Sequence, residues 1–342
     1  MRTRIAAVVT TAALILTACG GGGTGATNTS ATPATSAAAS AASSYPTKPI
    51  DIMAPAGTGG GFDTTARLIQ KALTDDKIVT QNVSVSNKPG AGGTVGMAEL
   101  IKNNAANPYA LIVVGRVTLG SQITGKTEAK VSQLTPIARL MAESEVIVTP
   151  KDSPIKSMKD LMDALKKDAK AVKFAGGSAG GIDHELAGRL VKLATGDIKG
   201  LSYVPFAGGG EAAAAIIGGQ VQVGISGFGE FKGHIESGAM KALAVSADAP
   251  LASAKTVPTL KSQGVDVVMV NWRLLAAPPN IPAGDLAALK AIATKVHDSK
   301  TWMDFAEKND WFDNFTTEGL LTFISAETQS ATVTLTDLGL VK

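Results

Sequence analysis

The sequence predicts an α/β fold in two domains, and three observations carry that prediction. Short apolar runs rich in β-formers alternate with stretches of helical periodicity, the pattern of parallel sheets covered by helices. At 342 residues and 45% apolar, the chain is long enough for two domains that each bury a core. Each half also carries two glycine-rich turns between a strand and a helix, in the same order.

The N-terminal segment stands apart from that pattern. Arg2 and Arg4 precede a mostly apolar run from Ile5 to Leu16. A run of about 12 residues falls short of the roughly 20 that a membrane-crossing helix needs. Leu16-Thr17-Ala18-Cys19 then places small residues before the only cysteine in the chain. This is the layout of a secretory signal, and the cysteine makes it resemble a bacterial lipoprotein signal: residues 1–18 removed, Cys19 lipidated. An ordinary signal peptide with an incidental cysteine is the alternative. One cysteine rules out an intrachain disulfide and a thiolate metal site, and His184, His234 and His297 are too scattered to make a metal cluster.

Cleavage removes two of the 32 basic residues against 29 acidic ones, so the net charge falls from +3 to +1. Bulk charge therefore attracts the mature chain neither to a membrane nor to nucleic acid. Residues 20–44 are mostly Gly, Ala, Thr and Ser and bury too little to offset chain entropy, so 19–44 is expected to be a lipidated cysteine followed by a disordered tether. About 25 flexible residues reach roughly 25–30 Å. The expected location is outside the cell membrane, lipid-anchored at its outer face (the periplasmic side in a Gram-negative cell).

The folded part is expected from Tyr45. Strands are predicted at Ile50–Ala54, Ala110–Val114, Val172–Ala175, Val221–Ile225 and Leu243–Val245. Ala66, Ile69 and Leu73 form one helix face after Asp63, and Leu186, Leu190 and Leu193 form another after Asp183. The turns Gly57–Asp63 and Gly176–Asp183 both end Gly-Gly-apolar-Asp, which predicts Asp63 and Asp183 as N-caps. The second turns are Pro89–Gly93 and Pro205–Gly210.

Glycine in such turns lets backbone N–H groups approach a ligand closely, and a helix N-terminus adds unpaired donors and partial positive charge. That is an anion site. Two of them, one per domain, suit the two ends of a di- or tricarboxylate, and in open α/β sheets ligands lie beyond the carboxyl ends of the strands.

Enzyme readings are weaker. Gly176-Gly177-Ser178-Ala179-Gly180 matches the G-x-S-x-G nucleophile elbow and sits between a strand and a helix, so a serine hydrolase or esterase using Ser178 is the rival. Its base would be His297, in a stretch that reads as an exposed helix, or His184, only six residues away. Gly57–Phe62 lacks the last glycine of a dinucleotide fingerprint. No catalytic residue, cofactor or metal ligand is assigned.

Several segments, taken in order, resemble a known family. Tyr45-Pro46-Thr47-Lys48-Pro49-Ile50, Ala54-Pro55-Ala56 and Gly59 to Arg67 look like the opening of the tripartite tricarboxylate transporter receptors, the Bug family. Asn87–Gly93, Leu134-Thr135-Pro136, Ser178–His184, Val204–Gly209, Gly218–Val221, Ser226–Glu230 and Asn271-Trp272-Arg273 continue the likeness. The resemblance implies a type II periplasmic-binding-protein fold: two α/β domains joined by crossover strands, with a ligand cleft between them. Domain I would comprise residues 45–148 and 271–342, and domain II residues 149–270.

The resemblance also implies a site. Thr58, Gly60, Gly61, Phe62, Asp63 and Thr64 would contact ligand from one side, and Ser178, Gly180, Gly181, Ile182 and Asp183 from the other. Thr118 and Phe206 would complete the walls. Trp272 and Arg273 are expected to anchor the crossover, and His184 to be a polar residue at a helix start. The implied protein is a monomeric receptor for a small carboxylate that hands it to one large and one small integral membrane subunit; a receptor that signals without transport is the alternative. Ala56, Phe206 and Leu274 depart from commoner family residues and bear on which solute is bound.

Overall fold

The computed structural model describes residues 44–341; the expected signal segment, Cys19 and nearly all of the tether lie outside the described residues. The chain first builds β1 (Ile50–Ala54), α1 (Gly61–Asp75), β2 (Val83–Asn87), α2 (Thr94–Asn103), β3 (Ala110–Gly115) and α3 (Arg116–Thr124). A long strand β4 (Thr135–Pro150) and α4 (Met158–Asp168) follow. The opening order then recurs as β5 (Lys173–Gly176), α5 (Ile182–Thr195), β6 (Ser202–Pro205), α6 (Gly209–Ile217), β7 (Val223–Gly227) and α7 (Phe228–Glu236). The chain closes with β8 (Met240–Val245), β9 (Val270–Ala277), α8 (Ala283–His297), α9 (Lys300–Lys308), β10 (Phe312–Thr316) and α10 (Leu320–Asp337).

The strand order is β2-β1-β3-β9-β4-β7-β5-β6, with β8 and β10 also on β4. Both repeats place their first strand centrally and pair it in parallel with the second and third. The repeated glycine turns thus reflect a repeated βαβαβα unit. The expectation of parallel sheets holds only for these two units. β9 runs antiparallel to β3 and β4, and β4 runs antiparallel to β7, β8 and β10. The linking strands pass between the two units, so they run against both.

β3 reads ALIVVG and is buried throughout, as expected of a strand covered on both faces. β4 carries residues to two places: Thr135 to Ser144 pair with β9, and from Glu145 onward the partners are β7 and β8. Ile52, Ala66, Ile69 and Leu73 belong to one core, and Phe174, Leu186, Leu190 and Ile225 to another. Cutting any of these leucines to alanine costs about 2–5 kcal/mol in transfer and cavity terms. Trp272 on β9 donates its Nε1–H to Glu327 on α10 at 2.7 Å and meets the Phe323 ring edge-on. That contact clamps the C-terminal helix to the middle of the sheet, in keeping with an anchoring role.

Candidate ligand-binding cleft

Each parallel strand ends in a turn from which a helix starts, so both repeats aim helix N-termini at the same region. In α1 the N-cap is Gly60, in α5 Gly181 and in α6 Gly208, and none has a side-chain cap. The first intrahelical bonds are Thr64 N–H to Gly60 O, Glu185 N–H to Gly181 O and Ala212 N–H to Gly208 O. The three N–H groups ahead of each therefore have no acceptor within their helix.

This corrects the expected caps. Asp63 and Asp183 lie inside their helices, and their carboxylates reach back to the turn: Asp63 Oδ2 accepts the Gly59 N–H at 2.9 Å, Asp183 Oδ2 the Gly177 N–H at 2.5 Å. The two aspartates are not equivalent. Gly59 and Gly180 share φ of 81°, a left-handed conformation that glycine adopts without strain. Gly60 N–H donates to Gly57 O and Gly181 N–H to Ser178 O. That alignment matches Asp63 with His184, whose Nδ1 accepts the Gly180 N–H at 3.0 Å. Burial lowers the His184 pKa to about 4, so the ring is neutral near pH 7 and free to accept.

A small cavity lies where the strand ends of both repeats meet. Its walls include Gly61 and Phe62 of α1, Gly92 before α2, Val117 of α3, Gly177, Ser178 and Asp183 around the start of α5, and Ala207 to Gly209 around the start of α6. Pro55, Ala56, Ser226, Glu230, Asn271 and Arg273 complete it. It encloses about 40 Å³, room for only a few waters. Larger grooves open on the surface, one of about 470 Å³ at the start of α10, but the helix N-termini of both repeats converge on the small one. The two repeats touch directly: Gly57 N–H donates to Ala207 O at 3.3 Å, and Ser121 Oγ to Ala179 O at 3.0 Å. A buried ion pair, Arg116 of α3 with Glu185 of α5, also joins the repeats.

The cavity floor is charged. Arg273 is 2% exposed and pairs with Glu143; its Nη1 donates to Thr65 Oγ1 at 3.0 Å, and Glu230 Oε1 lies 3.7 Å from Nη2. Thr65 in turn donates to Gly61 O at 2.8 Å. A Cβ on Gly61 would collide with the guanidinium, which explains glycine there. Burial pushes Glu230 up to about 8, with Glu143 adding to it and Arg273 opposing. Burial likewise pushes Asp183 up to about 6, against the favourable Gly177 N–H. Glu145, fully buried beside Asp183, is held well above the usual carboxylate range by burial and then by the charges of Asp183 and Glu143.

Of the residues named from the sequence, Gly61, Phe62, Ser178 and Asp183 line this cavity. Thr58 is exposed, while Gly60 abuts Gly208 across the interface between repeats. Asp63 is tied to Arg67 and Asn87, Thr64 starts the α1 hydrogen-bond ladder, and buried Thr118 sits against Gly93. Gly180 abuts Thr124, Gly181 abuts Val117, Ile182 is in the second core, and Phe206 packs beside Ala212 and Val221. Trp272 is not among the cavity residues, whereas Arg273 is; His184 stacks on Tyr203 and borders a separate groove.

Sequence reasoning assigned no ligand role to Ser226, Glu230 or Asn271. Their segments carry the family likeness, but burial beside a cavity has no local signature in sequence.

A model described as the tripartite tricarboxylate transporter family receptor matches residues 65–337. A UPF0065 protein of Agrobacterium vitis is 31% identical over 245 residues, 70% of this chain and 68% of the relative. Among solved structures, MatC of Rhodopseudomonas palustris with bound malate superposes with a TM-score of 0.77 at 22% identity, covering 85% of this chain and all of that one. The periplasmic binding protein BugD does so with the same score and identity over 87% of this chain and all of BugD. The fold is thus the type II periplasmic-binding-protein fold. The matched family is one of receptors rather than enzymes, so the G-x-S-x-G at Ser178 is a turn between β5 and α5 and not a nucleophile elbow. The chain belongs to the tripartite tricarboxylate transporter receptor family.

Proposed function

We propose that this protein is an exported receptor that captures a small carboxylate, a tricarboxylate or dicarboxylate, by closure of two domains around it. The observation that carries this reading is the convergence on one cavity of the N-termini of α1 and α5, one from each repeat and neither with a side-chain cap. Such ends offer unpaired N–H donors and partial positive charge, which suits carboxylate oxygens. Because the mature chain is nearly neutral, selectivity comes from aimed donors rather than bulk charge. Malate bound in MatC, a protein of the same fold, supports the ligand class.

In this reading residues 45–148 with 271–342 form one domain and 149–270 the other. The hinge lies where β4 exchanges β9 for β7 and where β9 begins. Gly61, Phe62, Ser178 and Asp183 face the ligand; Thr58, Gly60, Asp63, Thr64, Thr118, Gly180, Gly181, Ile182 and Phe206 set the shape of the loops and walls behind them. Lipid on Cys19 and the tether after it hold the receptor near one large and one small membrane subunit, to which the loaded form delivers its solute. Among the described residues no helix is long and apolar enough to cross a membrane, so attachment in this account rests on the lipid.

The test is thermal unfolding of the mature chain against a panel of small carboxylates, with neutral sugars as controls. A ligand at 100 times its dissociation constant adds about 2.7 kcal/mol of stability. A shift with an acid and none with sugars is expected; no shift with any acid contradicts the proposal.

A further inference from the structure

The second repeat is fastened to the C-terminal helices in one recurring way. Lys192 of α5 donates its Nζ to the carbonyl of Asp337, the last residue of α10, at 2.7 Å. Lys232 of α7 donates to the carbonyl of Lys308, the last residue of α9. The final carbonyls of a helix have no partner within it and carry partial negative charge, so an ammonium group suits them. Both caps come from a distant part of the chain and exist only while the two parts stay together.

α10 itself belongs with the first repeat. Leu320, Ile324, Ala331 and Leu335 share a core with Met97 of α2 and Leu119 of α3. Its end then turns back. Gly339, at φ of 70°, donates its N–H to Thr336 O at 2.8 Å, and Leu340 N–H donates to Leu335 O at 2.9 Å. That is the Schellman arrangement, which stops a helix at a left-handed glycine. The turn lays Leu338 and Leu340 over α5, within 3.8 Å of where a Cβ would stand on Gly188, and Leu338 is buried there. Arg189 of α5 reaches Thr334 Oγ1 at 3.4 Å and also holds Glu185, the partner of Arg116. Gly339 and Leu340 border the same groove as Gly180 and His184, so this contact lies beside the turn that enters the cavity. The Lys232 contact lies elsewhere. Lys308 shortly precedes Phe312, which faces Ala142 on β4, close to where that strand exchanges β9 for β7.

We infer that the C-terminal turn of α10 is a clasp that holds α5 against the first repeat and must release before solute enters or leaves, while the Lys232 contact stays made at the pivot. This rests on the domain-closure reading and names the contact that restrains closure. A cavity of about 40 Å³ admits only a few waters, so passage of a carboxylate requires the repeats to part.

The test uses the mature chain with Leu338→Ala, Lys192→Met and, as a contrast, Lys232→Met, each checked for folding by circular dichroism. Small-angle scattering without solute reports opening. A chase of malate, succinate or citrate, whichever binds the parent, reports dissociation. Leu338→Ala and Lys192→Met are expected to enlarge the radius of gyration and to speed dissociation, by about tenfold and about threefold respectively. Lys192→Arg, which keeps a donor and a charge, is expected to behave as the parent. Lys232→Met is expected to lower the unfolding midpoint and leave both readings at the parent's values. Parent-like scattering and rates in Leu338→Ala and Lys192→Met, or equal changes in Lys232→Met, overturn the inference and leave the receptor reading standing. If none of the three acids binds the parent, the receptor reading fails on its ligand class and scattering alone decides the clasp.

Discussion

Asp63 and His184 occupy the same position of two repeated turns, each accepting the N–H of a glycine four residues earlier, at 2.9 Å from Gly59 and 3.0 Å from Gly180. One turn is held by a carboxylate and the other by a neutral imidazole. Asp63 works against its own burial, yet hydrogen bonds from Arg67, Gly59 and Asn87 hold its carboxyl below the usual value. Stability from Asp63 is therefore present above its unfolded pKa and lost as pH falls through the lower folded value. Asp63→Ala is expected to cost about 1–3 kcal/mol at pH 7 and to flatten the acid limb of a urea-denaturation series below pH 4.

His184 has the opposite chemistry and the same direction. Its folded pKa of about 4 lies below the unfolded 6.5, so stability is fully present above 6.5 and is lost as pH falls toward 4. Asp183 opposes this within nearly the same window, because its folded pKa is raised to about 6. The comparison must therefore be between proteins rather than along one curve. His184→Gln is expected to be less acid-sensitive than the parent by on the order of 2 kcal/mol between pH 6.5 and 4, read from denaturation midpoints.

Glu230 should show its burial at alkaline pH. With a folded pKa of about 8 its neutral form is favoured, so its contribution is present below about 4.5 and lost as pH rises through 8. Glu230→Gln can still accept the Gly209 N–H. The variant is expected to match the parent near pH 5 and to exceed it by about 2–4 kcal/mol at pH 9.

Arg273 and Glu143 form the buried ion pair at the base of the cavity. Arg273→Met strands the carboxylate and is expected to cost about 3–5 kcal/mol in chemical denaturation. Adding Glu143→Gln should return a large part of that loss, since the unpaired charge is then gone. Equal destabilisation in the single and double variants would show that packing, not charge, dominates there.

Arg116 and Glu185 link α3 to α5 across the two repeats. If the repeats part to admit solute, this bond must break. Arg116→Leu is expected to raise the radius of gyration of the ligand-free protein in small-angle scattering, and saturating ligand is expected to reverse it.

Much of this was legible in the sequence, for identifiable reasons. The β1 run Ile50–Ala54 stands out because proline precedes it and a glycine turn follows. The four glycine turns announced the repeat, yet the match of Asp63 with Asp183 was one residue out of step. Identical Gly-Gly-apolar-Asp endings hide a difference in which residue accepts the N–H of the left-handed glycine, Asp63 in one turn and His184 in the other. β4 was not foreseen because Arg139, Glu143 and Glu145 break its apolar pattern; the partner that buries Glu143 lies 130 positions away. Ser226, Glu230 and Asn271 were passed over for a related reason: only the folding of β7, α7 and β9 onto one another places them beside the turns.

The central claim is that solute sits on the helix N-termini inside the small cavity, and Gly61 is its most exposed point. A side chain there must displace Arg273 and block the start of α1. The decisive measurement is calorimetric titration of parent, Gly61→Val and a Thr317→Val control, which alters a surface groove away from the cavity, with the carboxylate that stabilises the parent most. The account predicts that parent and control bind alike and that Gly61→Val, still folded, does not bind. Undiminished binding by Gly61→Val would contradict it.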